Sequence, residues 1–371
     1  MKFTINIDEL KTKIPLLKRS LKSSSSLPIL EGIYLKAQGE TVEVRATDLY
    51  FGVKFILKAE VEKPGETVIR AQQFIELINS IKQTKSLNFH KQSKEPTILL
   101  SNKTISVKLP TYNPKDFPVF PNLKSQSYLI SLSRLKFINE YIVSNASNDL
   151  TRPILTGVLF NFNQDYLEVA TTDGYRLAVK KFKNESQIFG KIIIPAKIIQ
   201  ELEKTILEEE LSELILEVDQ EQFQAKCVIG NVEIFIRLIE GEYPPYHKII
   251  PNQFNLVCKL SALDLLPHLK QAKIFARNNS NIVQLKINHK QIEVFANSLS
   301  MGSYTSIVKP TNISGDEFNL AFNVDYLIDF LQKAGENEVK IEAVESLKPA
   351  KLTINGLNQL TYIIMPIKVH S

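Results

Sequence analysis

Few residues in this chain of 371 could act on a substrate. Asp173 is the most tempting carboxylate, because Asp48 stands 125 positions before it, and a loop carboxylate can serve as a general base. Asp173 precedes Gly174, however, and turn chemistry is the stronger reading. Glycine reaches positive φ without steric cost, and an aspartate there caps its own backbone. The five histidines (His90, His247, His268, His289 and His370) are scattered, and neither they nor Cys227 and Cys258 fall at metal-ligand spacing. Neither a G-x-x-x-x-G-K-[ST] loop nor a G-x-G-x-x-G turn occurs. Tyr243 and Tyr246 flank Pro244-Pro245, where an aromatic ring could stack on a ligand; packing against the proline segment is the stronger reading. The residues therefore suggest no catalytic group, no metal and no cofactor.

Contact with phosphate is the chemistry the basic residues favour. A first helix, expected at about Asp8 to Lys22, carries Lys11, Lys13, Lys18, Arg19 and Lys22 with no acid after Glu9. Arg134, Lys136 and Arg152, and later Lys270, Lys273 and Arg277, are candidates for an equivalent surface. For any one helix a solvated face explains this; recurrence favours electrostatic, sequence-independent binding. The acidic run Glu208-Glu209-Glu210 is expected in solvent.

The elements that position these residues repeat. Val42-Glu43-Val44, Leu167-Glu168-Val169 and Ile292-Glu293-Val294 are each 125 residues apart, and Pro28-Ile29-Leu30-Glu31-Gly32 matches Pro153-Ile154-Leu155-Thr156-Gly157 at the same interval. Ala71, Ala196 and Ala321 continue the series, each followed by apolar residues at helical spacing. Three ordered matches at one long period imply three copies of one domain, each able to hold its own core. Leu167 to Thr171 alternates as a half-buried strand does, turns at Asp173-Gly174 and returns through Tyr175 to Val179. Ser23 to Ser26 and Asn278 to Asn281 read as polar loops. Pro15 and Pro267 should kink their helices, and Ser131 or Ser133 is a plausible N-cap. The result is an α+β chain with two helices and about eight strands per repeat, divided at 1–124, 125–252 and 253–371.

Apolar residues make up 44% and charged residues 23%, the profile of a globular rather than a disordered chain. No apolar run is long enough to span a bilayer, and MKFTINIDEL lacks a signal-peptide core, so a cytoplasmic protein with free thiols is expected. The net charge of +5 permits a polyanionic partner without requiring one.

The internal repeat, the Leu27-Pro28-Ile29-Leu30 element, ATTDGYRLAV in the middle repeat, the EYPPY segment and the YIIMPIKV tail resemble the bacterial DNA polymerase III beta subunit, the sliding-clamp family. The resemblance covers essentially the whole chain. It implies three clamp-type domains forming half of a closed ring, a homodimer around duplex DNA held without sequence preference. It further implies tethering of a replicative DNA polymerase, a clamp loader and other proteins bearing a clamp-binding motif. The family's peptide pocket carries over to Leu155, Thr172, Gly174, Tyr175, Arg176, Leu177, Pro244, Ile249, Asn323, Tyr326, Ile363, Met365, Pro366 and Ile367. Arg176 would satisfy a peptide carbonyl or carboxylate. Ile105 and Val107 of one subunit would meet Ile274 and Phe275 of the other. Arg152, Lys197 and Arg277 are the DNA candidates. The tail continues past Met365-Pro366 to Val369-His370-Ser371, which could alter access to the pocket. The alternative reading is a three-domain interaction scaffold that does not encircle DNA; an enzyme with an unseen site would require a metal.

Overall fold

The recurrence in sequence is a recurrence of structure. The computed structural model describes residues 1–21, 27–82, 85–92, 95–123, 126–184, 189–277 and 280–369. The expected Ser23–Ser26 loop, Lys22, Asn278-Asn279 and His370-Ser371 lie outside them. The described residues hold six helices: α1 (Ile7–Arg19), α2 (Ala71–Ser80), α3 (Leu132–Tyr141), α4 (Ala196–Glu208), α5 (Ala262–Ala276) and α6 (Val324–Ala334). Each repeat opens with a short strand and a helix, continues through strands to a second helix, and ends on three strands. The third repeat adds one strand, Asn312–Gly315, laid against Leu256–Ser261.

Several helices start at a strand end because a polar side chain there takes an orphan N–H. Asn6 accepts from Asp8 N at 2.8 Å, Ser131 from Arg134 N at 3.3 Å, and Asn323 from Asp325 N at 2.9 Å. The last of these corrects the sequence register. Ala321 does not open a helix; it lies in strand Phe318–Asn323 opposite Gln284, and Asn323 starts α6.

Two compact units result, and the second repeat contributes to both. Unit one comprises Met1–Leu135 and Lys197–Leu238; unit two comprises Lys136–Glu185, Phe189–Ala196 and Ile239–Ser371. Unit one is organised on a twelve-stranded sheet. Strand Phe51–Lys63 of the first repeat pairs there with Val232–Arg237 of the second, Phe51 opposite Ile236 and Gly52 opposite Phe235. Unit two holds a nine-stranded sheet, in which Arg176–Lys183 pairs with Leu360–Ile364, Arg176 opposite Ile364 and Leu177 opposite Ile363. A four-stranded sheet with Gly302–Val308 at its edge completes unit two. Pairing the last strand of one repeat with a hairpin strand of the preceding one covers edges that each repeat alone would expose.

Two further expectations change. Strand Tyr166–Thr172 is buried on both faces, not one, because the segment around Tyr246 folds over its second face. Two of the cations of α1 are compensated. Lys13 is buried and paired with Glu209, and Arg19 lies 2.8 Å from Glu201 and 2.9 Å from Glu208, so Glu208 and Glu209 turn toward α1 while Glu210 stays exposed. Lys11 donates to Ile81 O at 2.5 Å. Both cysteines are buried and free, and burial pushes the Cys258 thiol up to about 12. No helix among the described residues is long and apolar enough to cross a membrane.

Candidate functional site

The Asp173-Gly174 turn is built as its residue types dictate. Asp173 Oδ1 accepts from Tyr175 N and Arg176 N, both at 2.9 Å. Thr172 Oγ1 accepts from Gly174 N at 3.0 Å and donates to Arg176 O at 2.7 Å. Gly174 sits at φ 94°, where a side chain would be strained. The carboxylate is spent on the turn, so it is no catalytic base.

Three segments converge on this turn. The C-terminal tail is tied to it by Met365 N, which donates to Tyr175 O at 2.8 Å, while Ile367 N donates to Ala321 O at 2.7 Å. The proline segment is anchored by two phenols. Tyr243 Oη accepts from Thr172 N at 3.0 Å, and Tyr246 Oη donates to Glu168 Oε1 at 2.5 Å. Burial pushes both phenols well above their ordinary range, so each stays a neutral hydroxyl. His247 Nε2 lies 3.0 Å from the same Glu168 oxygen, and Lys181 Nζ lies 3.6 Å from the other. The Tyr246 hydroxyl and the Lys181 ammonium explain how a carboxylate only 1% exposed is tolerated. Glu168 was not singled out in the sequence, since a glutamate in an alternating strand reads as solvent-facing.

Arg176 is held on several sides. Its Nε lies 3.1 Å from Asp173 Oδ2, its Nη1 2.9 Å from Asp329 Oδ2, and its Nη2 donates to Ser144 O at 2.7 Å. Its guanidinium also lies 4.6 Å from the Tyr326 ring centre. Lys333 shares Asp329 at 2.9 Å, and burial lowers that ammonium below its usual range. Arg176 thereby joins the turn to α6.

Arg152, expected on DNA, lies beside the same turn. A Cβ built on Gly174 would come within 3.3 Å of its Nη1, so the guanidinium stands beside the exposed turn, where it can meet a ligand there. Asp149 holds it at 2.9 Å, and the Thr151 hydroxyl bond keeps that carboxyl below its usual range.

The expected pocket residues thus divide. Leu177 and Ile363 are wholly buried in a cluster with Leu159, Val179, Ile193 and Tyr246. Leu155 and Thr172 are buried as well. These form the floor. Gly174, Tyr175, Pro244 and Ile249 are exposed, and Asn323, Tyr326, Met365, Pro366 and Ile367 are half-buried; these form the surface a partner can touch.

The other expected residues are surface features of their own units. Lys197, in the first turn of α4, and Arg277, the C-cap of α5, are exposed and have no ion pair among the described residues. Lys273 pairs with Asp325 at 2.6 Å. Ile105 N donates to Asn102 Oδ1 at 2.8 Å in a turn leading into the strand that carries Val107. Ile274 is 48% exposed, and Phe275 stacks on Tyr304 with ring centres 5.8 Å apart. Among the described residues no group of three or more His, Cys, Asp or Glu side chains could hold a metal ion.

Comparison with known proteins accounts for nearly the whole chain. Family models of the DNA polymerase III beta subunit match in order: the N-terminal domain at residues 1–121, the central domain at 130–245 and the C-terminal domain at 247–368. The beta sliding clamp of Bacillus subtilis is 27% identical and that of Synechococcus elongatus 26%, each over all of both chains. Among solved structures, the beta chain of DNA polymerase III from Streptococcus pneumoniae superposes with a TM-score of 0.92 at 22% identity, covering 99% of this chain and all of the other. A Pseudomonas aeruginosa sliding clamp bound to griselimycin gives 0.89 at 22% identity, over all of both chains. At such identities the structural likeness speaks for the fold.

Proposed function

Because the chain belongs to the DNA polymerase III beta subunit family, the sliding clamps, we propose that it serves replication as a processivity factor in the cytoplasm. It does no chemistry on DNA. A head-to-tail pair of copies closes a ring with two copies of one interface, and clamp domains 1–124, 125–252 and 253–371 of each copy make half of it. The ordered match of all three domain models carries this reading.

Two features of the chain support ring closure. Strand Gly302–Val308 pairs on one side only, and strand Ser106–Tyr112 meets a second neighbour only at Thr111 and Tyr112. Open strand edges beside Ile274, Phe275, Ile105 and Val107 suit continuation of a sheet from copy to copy. Topology then retains the DNA, so phosphate contacts from residues such as Lys197 and Arg277 can stay weak and salt-sensitive, which permits sliding. Tethering a polymerase raises its effective concentration at the primer end.

The tether is the surface around Tyr175, Met365, Pro366 and Ile249. Its apolar side chains, with an adaptable methionine, suit short apolar peptides from the polymerase, a clamp loader and other proteins with a clamp-binding motif. Arg152 supplies the cation for a peptide carboxylate. Met365→Ala is expected to weaken a polymerase-derived peptide by about 2 kcal/mol, roughly thirtyfold, as truncating a central apolar anchor does. Fluorescence anisotropy measures it; unchanged affinity would remove Met365 from the site.

The ion pairs of Lys13 and Arg19 on α1 favour the alternative, a scaffold that never encloses DNA. Retention on nicked circular against linearised DNA, after loading with a compatible loader and ATP, separates the two. The clamp stays on circles and slides off linear ends; equal retention on both would leave only electrostatic binding.

A further inference from the structure

The turn-and-tail site has a structural counterpart in unit one. Asp48 Oδ1 accepts from Tyr50 N at 2.9 Å and from Phe51 N at 2.7 Å, as Asp173 does for Tyr175 and Arg176. Arg237 N donates to Tyr50 O at 2.9 Å, in the place of Met365 N on Tyr175 O at 2.8 Å. The strand pairings beneath correspond, Phe51 with Ile236 and Arg176 with Ile364. A proline segment, Pro118-Val119-Phe120-Pro121, lies alongside, as Tyr243-Pro244-Pro245-Tyr246 does in the second repeat. Between these parts is a cleft of about 270 Å³.

Three observations point to a ligand here. Large apolar side chains gather in the open: Leu49 is 48%, Tyr50 65% and Val119 89% exposed. Leu49 also sits at φ 76°, where its counterpart is Gly174. A leucine in the left-handed region costs on the order of 1 kcal/mol, and an exposed side chain recovers none of it by packing in the core. The third is charge. Arg237 is exposed, has no ion pair among the described residues and is the sole charged residue lining the cleft. The floor is firm: Phe120 packs on Phe235 with ring centres 4.5 Å apart, and a Cβ on Gly52 would meet the Phe120 ring at 3.1 Å.

We propose that this cleft is a second docking site, for a short extended peptide that carries one or two apolar side chains beside a carboxylate. Leu49, Tyr50 and Val119 enclose the apolar part, Phe120 and Phe235 support it, and Arg237 takes the carboxylate. Each chain would then offer two peptide sites of like construction, differing in that the first site's rim carries an arginine where the tail site carries a methionine.

Photo-crosslinking of the full-length chain tests this. The probe is the peptide acetyl-Ser-Leu-benzoylphenylalanine-Asp-Asp, and the labelled residues are mapped by mass spectrometry. Labelling at 47–52 and 118–121 is expected, falling at least about tenfold in Tyr50→Ser/Val119→Ser, with circular dichroism unchanged because both side chains are exposed. Arg237→Glu should lower labelling by the Asp-Asp probe and restore it for a Lys-Lys version, which a purely structural role would not do. Absence of labelling at these residues, or labelling that survives the double variant, overturns the proposal. So does labelling that vanishes as the protein dimerises, which would give the cleft to a second copy. Labelling around Tyr175 and Met365 is scored separately, so either site can fail alone.

Discussion

Ile274→Asp is expected to leave a folded monomer that no longer stays on circular DNA. Ile274 is half exposed within its own chain, on α5, so the substitution changes chain stability by no more than about 0.5 kcal/mol. In the proposed dimer the aspartate would face the apolar side chains of Ile105 and Val107 of the other copy with no partner for its charge. Burying it costs several kcal/mol, about 3 as a working figure, and a head-to-tail ring carries the defect twice. The two together correspond to a roughly ten-thousandfold weaker dimer. Sedimentation velocity reads the mass, and Ile215→Asp, at a similarly exposed isoleucine in unit one, is the control. A dimer of undiminished strength would show that this face of α5 does not close the ring.

Glu209→Ala is expected to destabilise the chain by about 3 kcal/mol, because it leaves the Lys13 ammonium buried without its counter-ion. Glu208 and Glu201 cannot substitute, since both are engaged by Arg19. The double variant Lys13→Met/Glu209→Met should recover most of the loss, as removing both charges of a buried pair leaves nothing to desolvate. Urea midpoints at constant slope measure both. A neutral single variant would mean that Lys13 reaches water, and α1 would regain a cation for DNA.

What the sequence determined was local or periodic. The Asp48 and Asp173 turns follow from short-range chemistry: an aspartate caps the N–H groups two and three residues on, and that requires no distant partner. The six helices follow from apolar spacing and polar caps, and the three-fold order from a single period. The surface around Tyr175 and Met365 was named only through the family resemblance that the turn, the proline segment and the tail carry.

Tertiary structure alone decided how those side chains are used. Leu177 and Ile363 could not be told from contact residues until they were seen side by side beneath the turn. Arg176 meets Asp329 from 153 residues away, and Lys13 looked uncompensated because Glu209 lies 196 away. Glu168 is a buried anchor only because Tyr246 folds over it, and Arg152 stands beside Gly174 only because the Asp149–Arg152 turn comes to rest there. Periodicity records which face of an element is apolar. It carries no record of which distant segment covers that face, and burial and counter-ions are set by that covering segment.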